Sequence, residues 1–251
     1  MAEPLDRFLA RRLRLAVREC RRRIQWGRIQ VDGRRCQHYH LRLQPGMRVE
    51  HDGIAVADGP DDTVLICHKP RGLACSHDPD DAPLIYEAVP EALRHPDLHT
   101  CGRLDRDTSG LLILTSDGRI TRQLAEPDRH VVKRYELGYT GGLCPDAAAQ
   151  AASGAMRIDG DEVPLRPARL ELDAAVSCAL DAADRERLGR LEVRWAALEI
   201  SEGRHHQVKR MIRQWGGRVV RLHRTRIGDL CLPADLPPGA MRVLPWTGPR
   251  G

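Results

Sequence analysis

Residues 102–118 read GRLDRDTSGLLILTSDG, and this stretch decides how the rest of the chain is read. One carboxylate, Asp105, stands directly behind Arg103 and Leu104. A Thr-Ser-Gly turn then leads into an apolar run, Leu111–Leu114, before the stretch closes on Asp117-Gly118. The pattern predicts a loop aimed by a rigid strand, the place where proteins put reactive groups. Taken alone, an Asp in a loop is usually a cap or turn residue, because its short side chain bonds its own backbone. A chemical role for Asp105 therefore needs partners elsewhere in the chain.

The elements around it are mixed. Thr63–His68, Leu111–Leu114, Arg134–Tyr139, Leu170–Leu172 and Leu191–Ile200 have strand patterns. Ile120–Leu124, Pro145–Ser153 and Val208–Trp215 have helical ones. They follow no regular βαβ repeat, which predicts an α+β fold with a mainly antiparallel sheet. At the front, Leu5, Phe8, Leu9 and Leu13 form one apolar helical face. A second helix is expected from about Ala16 to Trp26, with Val17, Cys20 and Ile24 inward and Arg18, Arg21, Arg22 and Arg23 outward. The strand Arg28–Val31 follows, then Asp32-Gly33 as a hairpin turn and Pro45-Gly46 as another. Val56–Asp62 is polar and turn-rich, as a linker is. Domains are accordingly expected at 1–58 and 62–246, with a frayed tail at 247–251.

The 251 residues are 41% hydrophobic but only 4% aromatic, so the core must be mainly aliphatic. No apolar run approaches the ~20 residues of a membrane span, and the Arg-rich start is unlike a secretory signal. The eight Cys form no C-x-x-C pair, which argues for a reduced, cytoplasmic protein without a zinc site. The His205-His206 pair is expected to point to different sides of any regular element, so no metal is expected either. Charge is unevenly spread. Residues 1–60 carry 13 Arg, no Lys and 7 acids, whereas the remaining 27 bases and 28 acids nearly cancel. A basic module in front of a near-neutral body suggests a nucleic-acid handle, since guanidinium groups suit bidentate phosphate contacts.

The stretch at 102–118 resembles the catalytic motif of the pseudouridine synthases. Arg103, Leu104, Asp105, Thr108, Gly110, Leu111, Leu112, Thr115, Asp117 and Gly118 all stand where that family has them. Lys133-Arg134-Tyr135 and residues 201–211, SEGRHHQVKRM, resemble two further family segments. His68-Lys69-Pro70-Arg71-Gly72 resembles the entry to the catalytic domain, with His68 in place of the usual Asn. The resemblance implies that Asp105 is the essential catalytic residue, that Tyr135 packs against the target uracil, and that Lys209 pairs with Asp105 and keeps it ionised. It further implies that Leu222 lines the uracil pocket and that Arg103 holds the extruded nucleotide or fills its vacated place. Leu104 and Gln207 are implied as substrate neighbours.

Residues 4–54, with GRIQVDG and LQPGMRV, resemble the S4 RNA-binding domain. Such a module presents a basic two-helix surface to folded RNA, here through Arg7, Arg11, Arg18, Arg21, Arg22 and Arg28. Lys69 and Arg210 are expected as further RNA contacts. The second helix of such modules usually opens on Ser. Leu15-Ala16 stands there instead, and a missing cap oxygen costs about 1 kcal/mol.

Ala74–Pro83 and residues 201–211 are most similar to the small-subunit branch of the family. The implied activity is isomerisation of uridine to pseudouridine in small-subunit ribosomal RNA within an assembly intermediate. The implied agent is a monomer with neither cofactor nor metal. Two alternatives are a synthase for large-subunit ribosomal RNA and a non-catalytic S4-type assembly factor. The intact Arg103-Leu104-Asp105 triplet argues against the second. Whether Asp105 attacks C1′ or C6, or takes a proton from C2′, is left open.

Overall fold

The computed structural model describes residues 3–13, 15–44, 46–56, 64–95, 97–158 and 160–244. The expected linker beyond Val56, the turn residue Pro45 and the tail at 247–251 lie outside the described residues. The chain divides into two compact units, Met1–Asp61 and Asp62–Gly251.

The first unit runs β1 (Glu3–Pro4), α1 (Leu5–Arg12), α2 (Val17–Gln25), β2 (Ile29–Val31), β3 (Arg34–Arg35), β4 (Arg42–Leu43), β5 (Val49–His51) and β6 (Ile54–Val56). Its core is Leu5, Phe8 and Leu9 from α1 packed on Cys20 and Ile24 from α2 and on Ile29, Val31 and Val49. Val17, expected inward, is 37% exposed, because it opens the helix one turn before the buried stripe begins. Ala16 supplies no side-chain cap there, in keeping with the missing Ser. The four-stranded sheet has the order β3-β2-β5-β6. Its first hairpin turns at Asp32 and Gly33, both with positive φ (51° and 74°), the geometry that joins two antiparallel strands in two residues.

The second unit contains β7 (Val64–Lys69), β8 (His99–Thr100), β9 (Ser109–Thr115), α3 (Gly118–Ala125), β10 (Lys133–Thr140), α4 (Ala147–Ser153) and β11 (Arg169–Leu172). It continues with α5 (Ala182–Leu188), β12 (Arg194–Ile200), α6 (Gln207–Gln214), β13 (Arg218–Ile227), β14 (Leu230–Cys231) and β15 (Met241–Val243). The main sheet runs β11-β12-β10-β13-β9-β7-β15, with β14 beside β13 and β8 beside β9. Every pairing is antiparallel except β13 with β9. The α+β expectation therefore holds, with one parallel seam in the middle.

That seam explains the sequence of β9. Leu112 and Leu114 feed one core, Leu111 and Ile113 the other, so the strand is covered on both faces and reads as a continuous apolar run. The expected Thr-Ser-Gly turn is not a turn. Ser109 and Gly110 already belong to β9, and the reversal lies just before them, where the Thr108 amide donates to the Asp105 carbonyl at 3.0 Å. Asp117 then caps α3, its carboxylate accepting from the Arg119 amide at 2.8 Å.

The strand β13 and the helix α5 are among the elements that lay outside the sequence expectation. The strand β13 is ten residues long and central, yet rich in Arg. The helix α5 is capped by Asp181, and its buried Asp184 takes Arg71, Arg187 and Arg221 as partners.

β13 also carries His223, 5% exposed, whose Nδ1 lies 2.9 Å from the Ser109 hydroxyl. Burial, helped by the nearby His68, pulls its pKa from 6.5 down to about 4. The folded state thus resists a proton that the unfolded chain accepts below pH 6.5. Stability is intact above that pH and is lost as pH falls toward about 4, by roughly 3 kcal/mol in all. Urea titrations from pH 7 to 4 should show this limb. His223→Gln should flatten it, and an unchanged limb in that variant would move its cause elsewhere.

Candidate active site

The site is built where three chain segments meet at the mouth of the seam. The first is the loop before β9, which carries Asp105. Its shape is set by Lys69, the last residue of β7, which pairs with Gly110 in register. The Lys69 ammonium is fully buried and donates to the carbonyls of Pro70 (3.0 Å), Asp105 (3.2 Å), Arg106 (3.4 Å) and Thr108 (2.9 Å). Lys69, expected as an RNA contact, is instead turned inward onto the chain's own carbonyls. Sequence shows a Lys at a strand end, which reads as surface. Only the folded loop turns four carbonyls onto it. Burial lowers its pKa, and the carbonyl cage satisfies the ammonium where water cannot.

The second segment is the turn from β12 into α6. His206 caps α6 with a left-handed φ of 52°. Gln207 is buried. Its amide nitrogen donates to Glu202 at 2.9 Å, and its oxygen accepts from the Arg204 amide at 2.9 Å. Gln207 lines the pocket, but both ends of its amide are committed to shaping this turn. The turn then delivers Lys209 across to the first segment. Its ammonium donates to the Asp105 carboxylate at 2.8 Å and to Asp107 at 2.6 Å. Burial alone would lower the Lys209 pKa, but the two carboxylates outweigh it and raise it. Burial likewise pushes Asp107 up, and the Lys209 hydrogen bond and charge more than reverse this. The ammonium is thus held charged against a carboxylate that remains 31% exposed.

The third segment is the pair β10 and β13. Tyr135, 7% exposed, faces Arg224 across a register shift between the two strands. Arg224 is buried, donating through Nε to the Leu111 carbonyl at 2.9 Å and through Nη1 to the Tyr135 hydroxyl at 3.4 Å. Leu222 and Leu104, both 6% exposed, complete an apolar wall. Asp105, Tyr135, Lys209, Leu104 and Leu222 line one pocket, open to solvent. Arg103 is exposed and lines both this pocket and an adjoining hollow that extends past Arg106 and His205.

Three residues of the site were missed. Asp107 shares Lys209, Arg224 braces Tyr135, and His206 places Nε2 3.4 Å from the second oxygen of Asp105. The rings of His205 and His206, expected to diverge, are instead stacked at 3.8 Å, because they sit in a turn rather than in a regular element. Among the described residues no three His, Cys, Asp or Glu side chains cluster in a way that could hold a metal ion.

The residues expected to meet RNA are differently placed. Arg7 and Arg18 are exposed on the helical pair, and nothing is described of the Arg11 side chain. Arg21 is half exposed but bound to the buried Asp6 at 2.7 Å and laid over the Tyr39 ring. Arg22 lies 3.6 Å from Glu19, and Arg28 holds Asp52 through two nitrogens. Arg210 is tied to Asp161 at 3.0 Å.

Known proteins resemble this chain in sequence and fold. Residues 63–214 match the RNA pseudouridylate synthase family and residues 3–49 the S4 domain. The chain is 35% identical over 240 residues to the "Ribosomal small subunit pseudouridine synthase A" of Salmonella typhimurium, covering 96% of this chain and 95% of that one. It is 34% identical over 241 residues to the protein of the same name from Pseudomonas aeruginosa, covering 96% of each. A crystal structure described as a pseudouridylate synthase is 30% identical, covers 96% of each chain and superposes with a TM-score of 0.61. Over nearly its full length the chain is thus matched by proteins named for one activity: the chain belongs to the RNA pseudouridylate synthase family and is a pseudouridine synthase with an N-terminal S4 domain.

Proposed function

We propose that this enzyme isomerises a uridine of small-subunit ribosomal RNA to pseudouridine, with Asp105 as the nucleophile. The observation that carries the reading is the Asp105 carboxylate, partly open to solvent and 2.8 Å from Lys209, in one pocket with Tyr135 and Leu222. The reaction breaks N1–C1′ and forms C5–C1′. The proton lost from C5 is matched by one gained at N1, so no electrons or groups enter from outside. The target base must first leave its stack. Arg103, exposed and lining both hollows, holds the extruded nucleotide. Tyr135 then packs on the uracil ring, with Leu104 and Leu222 as its apolar surround. Lys209 orients Asp105 for attack and, through Asp107, keeps its own ammonium in place.

The address on the RNA rests on the relatives, which carry the small-subunit name at 96% coverage of this chain. The S4 unit supplies salt-dependent affinity for folded RNA. On this reading a monomer acts on ribosomal RNA inside an assembling particle in the cytoplasm. Carbodiimide mapping of ribosomal RNA from a deletion strain tests the address. One adduct should vanish from the small-subunit RNA and return when the gene is restored. A vanished adduct in the large-subunit RNA instead would overturn the target.

A further inference from the structure

Trp26 ends α2 with 64% of its surface exposed, far more than the other described tryptophans. An indole is the largest apolar side chain, and leaving it in water forgoes most of what its burial would contribute. The next residue, Gly27, has a φ of +70°, and the Arg35 side chain lies directly against it. A Cβ at Gly27 would meet Arg35 Cδ at 2.7 Å and Cζ at 3.0 Å. Glycine thus lets a guanidinium settle on the backbone beside the indole. Arg18, Arg34 and Arg35 are all exposed, and no ion pair of theirs is seen among the described residues. This differs from Arg21, Arg22 and Arg28, each of which has an acidic partner.

We infer that Trp26 is a stacking platform for one unpaired nucleobase of the RNA substrate, with Arg35 holding the adjoining phosphate. An exposed indole, followed by a glycine that seats an unpartnered guanidinium, fits a base and its backbone at once. A protein partner would have to match the same patch with acidic groups around an apolar socket. The free Arg35 guanidinium favours RNA, whose charge is continuous. The inference rests on the S4 unit being the RNA handle, and it adds a contact to a base where such units are expected to read shape. It concerns affinity, whereas the Asp105 chemistry concerns turnover, so the two can fail separately.

Equilibrium binding of the full-length protein to a transcript of small-subunit ribosomal RNA, followed across a salt series, tests it. Trp26→Ala should weaken binding roughly 5- to 150-fold with little change in salt slope, because stacking releases no counterions. Trp26→Phe should retain most of the affinity. Arg35→Gln should lower the slope by about one phosphate contact. Indole emission should be quenched when RNA is added, and the quench should be largely absent from Trp26→Phe. Trp26→Ala binding as tightly as the parent would overturn the inference and leave the indole to another kind of partner. Failure of the parent protein to bind the transcript at all would remove the premise itself.

Discussion

Asp105→Asn should abolish pseudouridine formation, by roughly 10⁴- to 10⁶-fold, while the protein folds and binds RNA as before. A carboxamide is nearly the same size as a carboxylate but is no nucleophile, and losses of this order follow removal of a nucleophile in other enzymes. The fold should tolerate the change because the side chain is 31% exposed and sits at the rim of the pocket. Its lost partner, Lys209, keeps Asp107 at 2.6 Å, so no ammonium is stranded. The stability change should stay below about 1 kcal/mol, the usual worth of a part-exposed ion pair. Nucleoside analysis of treated ribosomal RNA measures the first effect, and thermal melting the second. Activity within tenfold of the parent would exclude Asp105 as the nucleophile. A large drop in melting temperature would mean that the carboxylate is a scaffold group.

Much of this site could be read from residue types because its chemistry demands rare ones. Asp105, Tyr135 and Lys209 lie in separate segments, yet each stands in a short motif whose neighbours are informative. What could not be read are residues whose meaning depends on contacts made in the folded chain. Lys69 is ordinary until four carbonyls converge on it. Asp107 follows Asp105 by two residues, but its place in the site comes from Lys209, 102 residues away. β13 escaped notice because Arg221, Arg224 and Arg226 break the apolar pattern of a central strand. In the fold they are absorbed by Asp181 and Asp184, by the Leu111 carbonyl and Tyr135, and by Glu199. The same Arg-rich composition that drew attention to the S4 domain at the front of the chain concealed a structural strand at its back.

Gly110→Ala should be the most damaging single-methyl change in the second unit. Gly110 has a φ of +112°, where side chains are strained. A Cβ there would lie 2.2 Å from the Arg224 carbonyl oxygen and 2.5 Å from its amide nitrogen. Both are backbone atoms, so no rotamer change relieves the clash and β9 must part from β13. Parting them breaks the parallel seam of Ser109 with His223 and Gly110 with Arg224. It also disturbs the arginine that braces Tyr135 and the strand that aims Asp105. We expect a loss above about 4 kcal/mol, or failure to fold, with activity falling along with the fold. Gly118 in the same motif supplies the control. It opens α3 without positive φ, and a Cβ there meets nothing within 4 Å. Gly118→Ala should be neutral or gain up to about 1 kcal/mol by restricting the unfolded chain. Denaturant melts of the two variants separate a glycine required by close approach from one that is not. If Gly110→Ala melts like the parent, β9 and β13 are not in contact at this seam, and the alignment of Tyr135 with Asp105 needs another cause.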